Sequence, residues 1–202
     1  MAADRVEDRQ RETPRTSPAR PPREPVLPPI LYAILVAEVA GCAWLHMTRE
    51  LRAGDPITYA AGWIGTASMI LMQLYSVRRR VRALARVGRL SRWLQGHIFL
   101  GLQGGILVTF HSLHLSTLSN LSGATLALTL VVVMSGIFGR YVYARLPRGS
   151  VGIDPRAAAT WTAAERVFRR WTIIHRPLTI LLGGTVALHV IGHYIYTAAY
   201  GK

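Results

Sequence analysis

Long apolar runs alternate with short polar segments along this chain. Five runs are nearly free of charged side chains and cover residues 27–47, 57–77, 93–115, 124–143 and 173–200. A helix needs about 20 mainly apolar residues, at about 1.5 Å each, to cross the hydrocarbon core of a bilayer. The pattern therefore predicts an all-α integral membrane protein with five transmembrane helices.

The polar segments hold most of the charge. Residues 1–25 mix arginines, acids and prolines with almost no large apolar side chains, so they predict a disordered tail. Residues 78–92 hold seven arginines interleaved with apolar residues. They predict a short amphipathic helix on the membrane surface, with a partner-binding strip as the alternative. Residues 144–172 form a second basic loop, in which the capping-box spacing from Thr162 to Glu165 predicts the start of the last helix.

The distribution of arginine predicts the orientation in the membrane. The segments 78–92 and 144–172 are strongly basic, whereas the loop at 116–123 has no charged residue. Basic loops stay on the cytoplasmic side. We therefore expect the N-terminus inside and the C-terminus outside, in a bacterial-type cytoplasmic (inner) membrane. The formal net charge of +14 then reflects contact with the lipid bilayer rather than with nucleic acid, because the arginines lie between the apolar runs.

Four histidines form a repeated arrangement. His97 and His111 lie in the third run, His175 and His189 in the fifth, and fourteen residues separate the members of each pair. Fourteen helical steps cover about 21 Å and end about 40° short of four full turns, so each helix presents two imidazoles on nearly one face. Parallel helices would bring His97 level with His175 and His111 level with His189. Imidazole is a common axial ligand of haem iron, so the spacing predicts two bis-histidine haem b groups, one above the other.

Residues near these histidines are candidates for contacts with the cofactor. Gly101 and Gly104 lie on or near the histidine face of the third run, and Gly105 and Gly183 each lie eight residues after a paired histidine. Glycines at such positions would admit either the edge of a macrocycle or a neighbouring helix. Arg140 and Arg176 either neutralise propionates of the inner haem or anchor helix ends at the inner surface. His114 and His193 lie toward the outer surface, where they could contact propionates, relay protons or serve as substitute ligands. A propionate or interfacial role is favoured, because pairing them as ligands with His97 and His175 breaks the matched spacing.

Other residues in the apolar runs carry weaker indications. The carboxylate of Glu38 is expensive in lipid, which indicates either a proton or quinone role or a hydrogen bond to another helix. Cys42 is the single cysteine, so the chain has no internal disulfide. Pro177 predicts a kink or a tightened turn two residues after His175. Tyrosines and tryptophans at the ends of the runs, Trp171 among them, are typical of an aromatic belt.

The histidine arrangement resembles that of the dihaem membrane cytochromes b. In that family the second and fourth helices of a four-helix core each supply two histidines at this spacing. The resemblance implies that residues 57–200 form the core and that residues 26–56 add one transmembrane helix and an outer turn. It also implies that the paired histidines are the iron ligands. The stretch from Trp171 to Arg176, WTIIHR, is similar to the entry into the last ligand helix of ferric-reductase-like transmembrane domains.

Three functions are compatible with these residues. The first is a dihaem cytochrome that carries electrons across the membrane between a donor, quinol or a redox partner protein, and an acceptor on the other side. The second is an oxidoreductase that reduces quinone, superoxide or ferric chelate at the outer haem, with His114 and His193 in the site. The third is a haem-free proton-coupled transporter that uses Glu38 and the histidines. We expect reductase activity to need a partner chain that carries flavin and nicotinamide.

Overall fold

The computed structural model describes residues 26–52, 54–113, 120–145 and 155–200. Within these ranges the backbone is almost entirely helical and contains no β-strand, so the all-α prediction is confirmed for them. The helices are α1 (Pro29–Thr48), α2 (Pro56–Leu71), α3 (Leu74–Arg80), α4 (Leu90–Leu113), α5 (Asn120–Arg145) and α6 (Pro155–Tyr200), with a 3₁₀ turn at Arg82–Arg86 between α3 and α4.

Four helical segments are long and apolar enough to cross a bilayer. They are Pro29–Thr48, Pro56–Arg80, Leu121–Val142 and Glu165–Tyr200. Large apolar side chains on their surfaces stay exposed, as Ile30 at 65% and Ile180 at 74% illustrate. Apolar surface of this extent is unfavourable in water, and contact with lipid chains explains it. The described helices therefore indicate a membrane protein.

Helix α4 has the length of a membrane span but a lower apolar content. Its 24 residues include the polar side chains of Gln95, His97, Gln103 and His111. No residue in the range 93–112 is exposed, because α4 packs against α1, α2 and α5. A helix that other helices shield from lipid can carry polar groups at lower cost. Four of the five predicted spans are thus long and apolar enough to cross a membrane. That α4 also crosses the membrane stays a prediction.

Two antiparallel helix pairs build the bundle. Helix α2 packs along α4, and α5 packs along α6, while α4 also touches α5 and α1. The buried core contains Met69 from α2, Met72 directly after the end of α2, Val132 from α5 and Leu182 from α6. Partly buried residues of α4, among them Val108, pack against this core. Within the described ranges α4 and α6 form no extended interface with each other.

The segment between α3 and α4 is a folded turn. Gly88 has a φ of 62°, in the left-handed region that glycine adopts at little cost. The buried Arg78 side chain donates to the carbonyl oxygens of Val87 at 3.3 Å and Gly88 at 3.4 Å. Trp93 Nε1 donates to the same Val87 carbonyl at 2.8 Å. The prediction of one amphipathic surface helix over 78–92 is wrong, because these bonds fold the segment back on itself.

The second basic segment is mostly helical. Helix α5 continues to Arg145 and α6 begins at Pro155, so the predicted start at Thr162 is wrong. Proline at the first position of a helix costs no hydrogen bond, which is consistent with the earlier start. Helix α6 runs for 46 residues and continues through Pro177. At about 1.5 Å per residue the helix is about 69 Å long, which exceeds the thickness of the hydrocarbon core of a bilayer. Helix α6 therefore extends beyond the hydrocarbon core.

Candidate functional site: two histidine pairs

Helices α4 and α6 each carry a row of residues along one face, and each row has a paired histidine at both ends. We call these two rows the stripes. Both stripes advance by three, four, four and three residues, which keeps their members on one helix face. The members are His97, Leu100, Gly104, Val108 and His111 on α4, and His175, Leu178, Leu182, Val186 and His189 on α6. The leucines and valines of both stripes belong to the apolar core of the bundle. An apolar layer therefore separates two levels of histidine.

The structure brings the histidines together in two pairs. His175 lies within electrostatic range of His97, and His189 lies within electrostatic range of His111. We call His97 with His175 the inner pair and His111 with His189 the outer pair. This pairing means that α4 and α6 run parallel. The two levels are about 21 Å apart along each helix by helix rise.

Backbone carbonyl groups of α2 and its C-terminal end hold the two imidazoles of α4. His97 Nδ1 lies 3.0 Å from the carbonyl oxygen of Met72, and His111 Nδ1 lies 2.9 Å from that of Thr58. A carbonyl oxygen can only accept a hydrogen bond, so each Nδ1 carries the proton and donates. In the neutral ring this leaves the lone pair on Nε2 available to a metal ion.

Serine hydroxyl groups of α5 hold the two imidazoles of α6. Ser135 Oγ lies 2.5 Å from His175 Nδ1 and 3.2 Å from the carbonyl oxygen of Val132. The hydroxyl donates its hydrogen to that carbonyl and accepts the bond from Nδ1–H. Ser122 Oγ lies 3.2 Å from His189 Nδ1. Sequence reasoning missed both serines, although their separation of thirteen residues on the preceding helix nearly matches that of the histidines.

Aromatic rings flank the inner pair. The Trp171 ring stacks on His175, with 4.9 Å between centroids and 24° between planes. The Tyr75 ring is tilted by 41° against His97 at 5.2 Å. The Trp171 Nε1 atom donates to the carbonyl oxygen of Ser135 at 2.7 Å. Both inner imidazoles are therefore held by a hydrogen bond at Nδ1 and by an aromatic ring.

The glycines Gly101 and Gly104 of α4 face α2. A Cβ atom on Gly104 would lie 2.9 Å from Met69 Cγ and 3.0 Å from the Gly65 carbonyl oxygen. A Cβ atom on Gly101 would lie 3.3 Å from the Met72 sulfur. Residues of α2 therefore take the space beside these glycines. Of the two explanations that the sequence left open, helix packing is the one that fits Gly101 and Gly104.

Three other glycines have different surroundings. A Cβ atom on Gly105 would lie 2.9 Å from a methyl carbon of Val133, so Gly105 permits close packing of α4 on α5. Gly183 has open space around it within 4 Å. A Cβ atom on Gly62 would lie 3.1 Å from His111 Nδ1. Gly62 therefore makes room for an outer imidazole on the side where that ring bonds to α2.

The candidate ionisable groups outside the pairs are spread over the bundle. Arg140 is half-buried near the end of α5, and Arg176 is exposed beside His175 in the chain. In α1, the Oε2 atom of Glu38 is buried and has no hydrogen-bond partner among the described residues. The structure therefore shows no hydrogen-bond partner for Glu38 Oε2 on another described helix.

The two remaining candidate histidines lie beyond the outer pair along the chain. His114 lies outside the described residues. His193 is exposed, within electrostatic range of His189, and its ring is 6.2 Å from that of Tyr59 and 5.9 Å from that of Tyr194. An exposed group of one imidazole and two phenols therefore lies next to the outer pair.

No family model, curated protein or solved structure matches the chain. Among the described residues no three or more side chains of His, Cys, Asp and Glu form a cluster that could hold a metal ion. The resemblance to dihaem cytochromes b rests on the histidine pattern.

Proposed function

We propose that this protein is a dihaem b-type cytochrome that carries electrons across a cytoplasmic membrane. Its donor would be quinol or a redox partner protein, and its acceptor would lie on the other side. The observation that carries the proposal is the set of four imidazoles, arranged in two pairs, in which a neighbouring helix or its end engages every Nδ1 atom. Metal-ligating histidines usually have their second nitrogen fixed in this way.

The number and type of donors at each level fit a haem. Two neutral imidazoles are the axial ligand set of a low-spin haem, whereas a structural zinc site takes four protein ligands. His97 with His175 and His111 with His189 would each hold one haem, which would supply a one-electron redox couple when bound. The candidate ligands also belong to α4 and α6, which do not pack closely against each other. Cofactor sites in helix bundles are built from facing helices of this kind.

The residues between the two levels support transfer along the bundle axis. Leu178, Leu182 and Val186 on α6, with Leu100 and Val108 on α4, form the apolar layer between the histidine pairs. This layer excludes water and ions from the space between the two levels. Five membrane spans with the N-terminus inside would place the inner pair toward the cytoplasm, next to the arginine-rich turn.

The outer end of the bundle supports a second candidate function, the reduction of a small acceptor such as quinone, superoxide or ferric chelate. The observation that favours it is the exposed group of His193, Tyr59 and Tyr194 beside His189. Imidazole and phenol groups can donate protons to an acceptor that gains electrons. Rapid reoxidation of the reduced protein by one such acceptor alone would favour this function. A requirement for a partner protein would favour electron transfer alone.

Absorption spectroscopy and haem analysis test the proposal. We expect the purified protein to contain two low-spin b-type haems per chain. The variant His111→Ala should lose the outer haem and keep the inner one, and His175→Ala should do the reverse, because each removes one axial ligand of a single level. The measurement is the haem-to-protein ratio together with the reduced-minus-oxidised spectrum.

His46→Ala provides the matched control for these substitutions. His46 lies on α1 and is exposed, so its replacement should leave both haems in place. A wild-type protein that purifies without haem from cells with ample haem supply would overturn the proposed function. If His46→Ala also lost both haems, the loss of haem in His111→Ala and His175→Ala would be explained by misfolding.

A further inference from the structure

We infer that Trp171 is a positioning residue of the inner histidine pair, holding the ring of His175 in one orientation through contacts with Ser135 and Gly139. This inference rests on the proposed function, since it assigns Trp171 to the orientation of an axial ligand. The indole stacks on the His175 imidazole with 24° between the ring planes. A stacked ring of this size limits rotation of the imidazole about its Cβ–Cγ bond.

Ser135 connects the tryptophan to the histidine. Its backbone carbonyl accepts a hydrogen bond from Trp171 Nε1 at 2.7 Å, and its hydroxyl accepts one from His175 Nδ1 at 2.5 Å. The first bond fixes the indole and the second fixes the direction of the imidazole Nδ1 atom. One residue of α5 therefore sets the position of both rings on α6.

Gly139 provides the space for the indole. It lies one helical turn after Ser135 on α5, just as Trp171 lies one turn before His175 on α6. A Cβ atom at position 139 would overlap the six-membered ring of the indole. The close fit of Trp171 against α5 thus depends on the absence of a side chain at this position.

The contacts of Trp171 differ from those of an aromatic belt. Belt tryptophans direct the indole N–H toward the headgroup region. The Trp171 N–H instead donates to a backbone carbonyl of a neighbouring helix, and the residue is half-buried. The observed geometry favours a role inside the bundle, where the indole fixes a ligand ring.

Electron paramagnetic resonance of the oxidised protein and redox titration test the inference, because ligand orientation and the hydrogen bond at Nδ1 tune a haem. The signals are first assigned with His111→Ala and His175→Ala. We then expect Trp171→Leu and Gly139→Ala to shift and broaden the inner low-spin signal and to change the inner midpoint potential, with the outer haem unaffected. Haem affinity of the inner site should fall by about tenfold, at the lower end of such effects.

A milder variant and two controls keep the test decisive if Trp171→Leu fails to fold. Trp171→Phe loses the N–H and part of the ring area but retains an aromatic ring that can stack on His175, so it should show a smaller change in the same direction. Gly41→Ala on α1, where a Cβ atom meets nothing within 4 Å, and Trp63→Phe on α2 should leave the inner signal unchanged.

The outcomes separate this inference from the function on which it rests. A haem-free wild-type protein overturns the proposed function and the inference together. A wild-type protein with two haems, whose inner signal and potential remain the same in Trp171→Phe and Gly139→Ala, overturns the inference alone. Equal changes at both haems would also overturn it, because a positioning role at His175 acts on the inner site only.

Discussion

At the scale of single residues, hydrogen-bond partners distinguish side chains of the same type. Arg78 and Arg80 belong to one arginine run, yet Arg78 is buried and donates to two carbonyl groups, whereas Arg80 is exposed. The carbonyls of Val87 and Gly88 lie in a turn that precedes α4, so the Arg78 guanidinium fixes the entry of that helix. A charged residue in such a run can therefore serve the fold rather than the membrane surface.

The variant Arg78→Ala should be less stable by about 1–3 kcal/mol, because the Val87 and Gly88 carbonyls lose the hydrogen bonds that Arg78 donates, and only Val87 keeps its bond from Trp93. The measurement is the thermal unfolding midpoint in detergent, followed by circular dichroism. Arg80→Ala is the control and should change stability by less than about 0.5 kcal/mol, as an exposed substitution. Equal effects of the two variants would contradict the structural role of Arg78.

At the scale of helices, two glycines set the distance between α2 and α4. Cβ atoms on Gly65 and Gly104 would each lie 3.0–3.2 Å from the carbonyl oxygen of the other glycine, so the two backbones approach directly. The same contact brings the carbonyls of Thr58 and Met72 within hydrogen-bond distance of the histidines on α4. Close packing of these helices is therefore a condition for the orientation of both imidazoles.

The variant Gly104→Ala should lower the stability of the bundle by about 1–3 kcal/mol, since a backbone carbonyl cannot move aside as a flexible side chain can. Gly96→Ala on the same helix is the matched control, because a Cβ atom there meets nothing within 4 Å. It should be neutral or stabilising by up to about 1 kcal/mol. Thermal unfolding of both variants checks this, and a stable Gly104→Ala would show that the two helices can separate without loss.

At the scale of the whole molecule, polarity and burial are distributed unevenly over the helices. The apolar segments Pro29–Thr48 and Glu165–Tyr200 are largely exposed, as helices in contact with lipid are. Helix α4 is more polar and is covered by three neighbours. Its histidines therefore lie where protein, rather than lipid, surrounds them. The crossing of the bilayer by α4 determines on which side of the membrane α5 begins, and therefore the orientation of both α5 and α6.

Labelling of single cysteines tests the crossing of α4. In a Cys42→Ser background, we expect Arg82→Cys to react with a membrane-impermeant maleimide only from the cytoplasmic side, and Asn120→Cys only from the outer side. The two positions flank α4, so five spans require opposite sides. Gly54→Cys, in the turn between α1 and α2, should react from the same side as Asn120→Cys. Labelling of Arg82→Cys and Asn120→Cys from one side would show that α4 does not cross.

The features that the sequence by itself determined are those that repeat within one helix. The spacing of His97 to His111 and of His175 to His189 places each pair on one face, because hydrogen bonds within the helix set its pitch whatever surrounds it. The apolar runs likewise indicated the all-α membrane class. These conclusions depend on neighbours along the chain, which a sequence displays directly.

The tertiary structure decided which groups meet between helices. The carbonyl of Met72 is a backbone atom that no residue type reveals, and the role of Ser135 depends on the register of α5 against α6. The same holds for Arg78, whose acceptors lie in a turn that the charge pattern did not indicate. Contacts of this kind depend on which helix lies alongside, at what depth and at what rotation, and these are set by packing of the whole bundle.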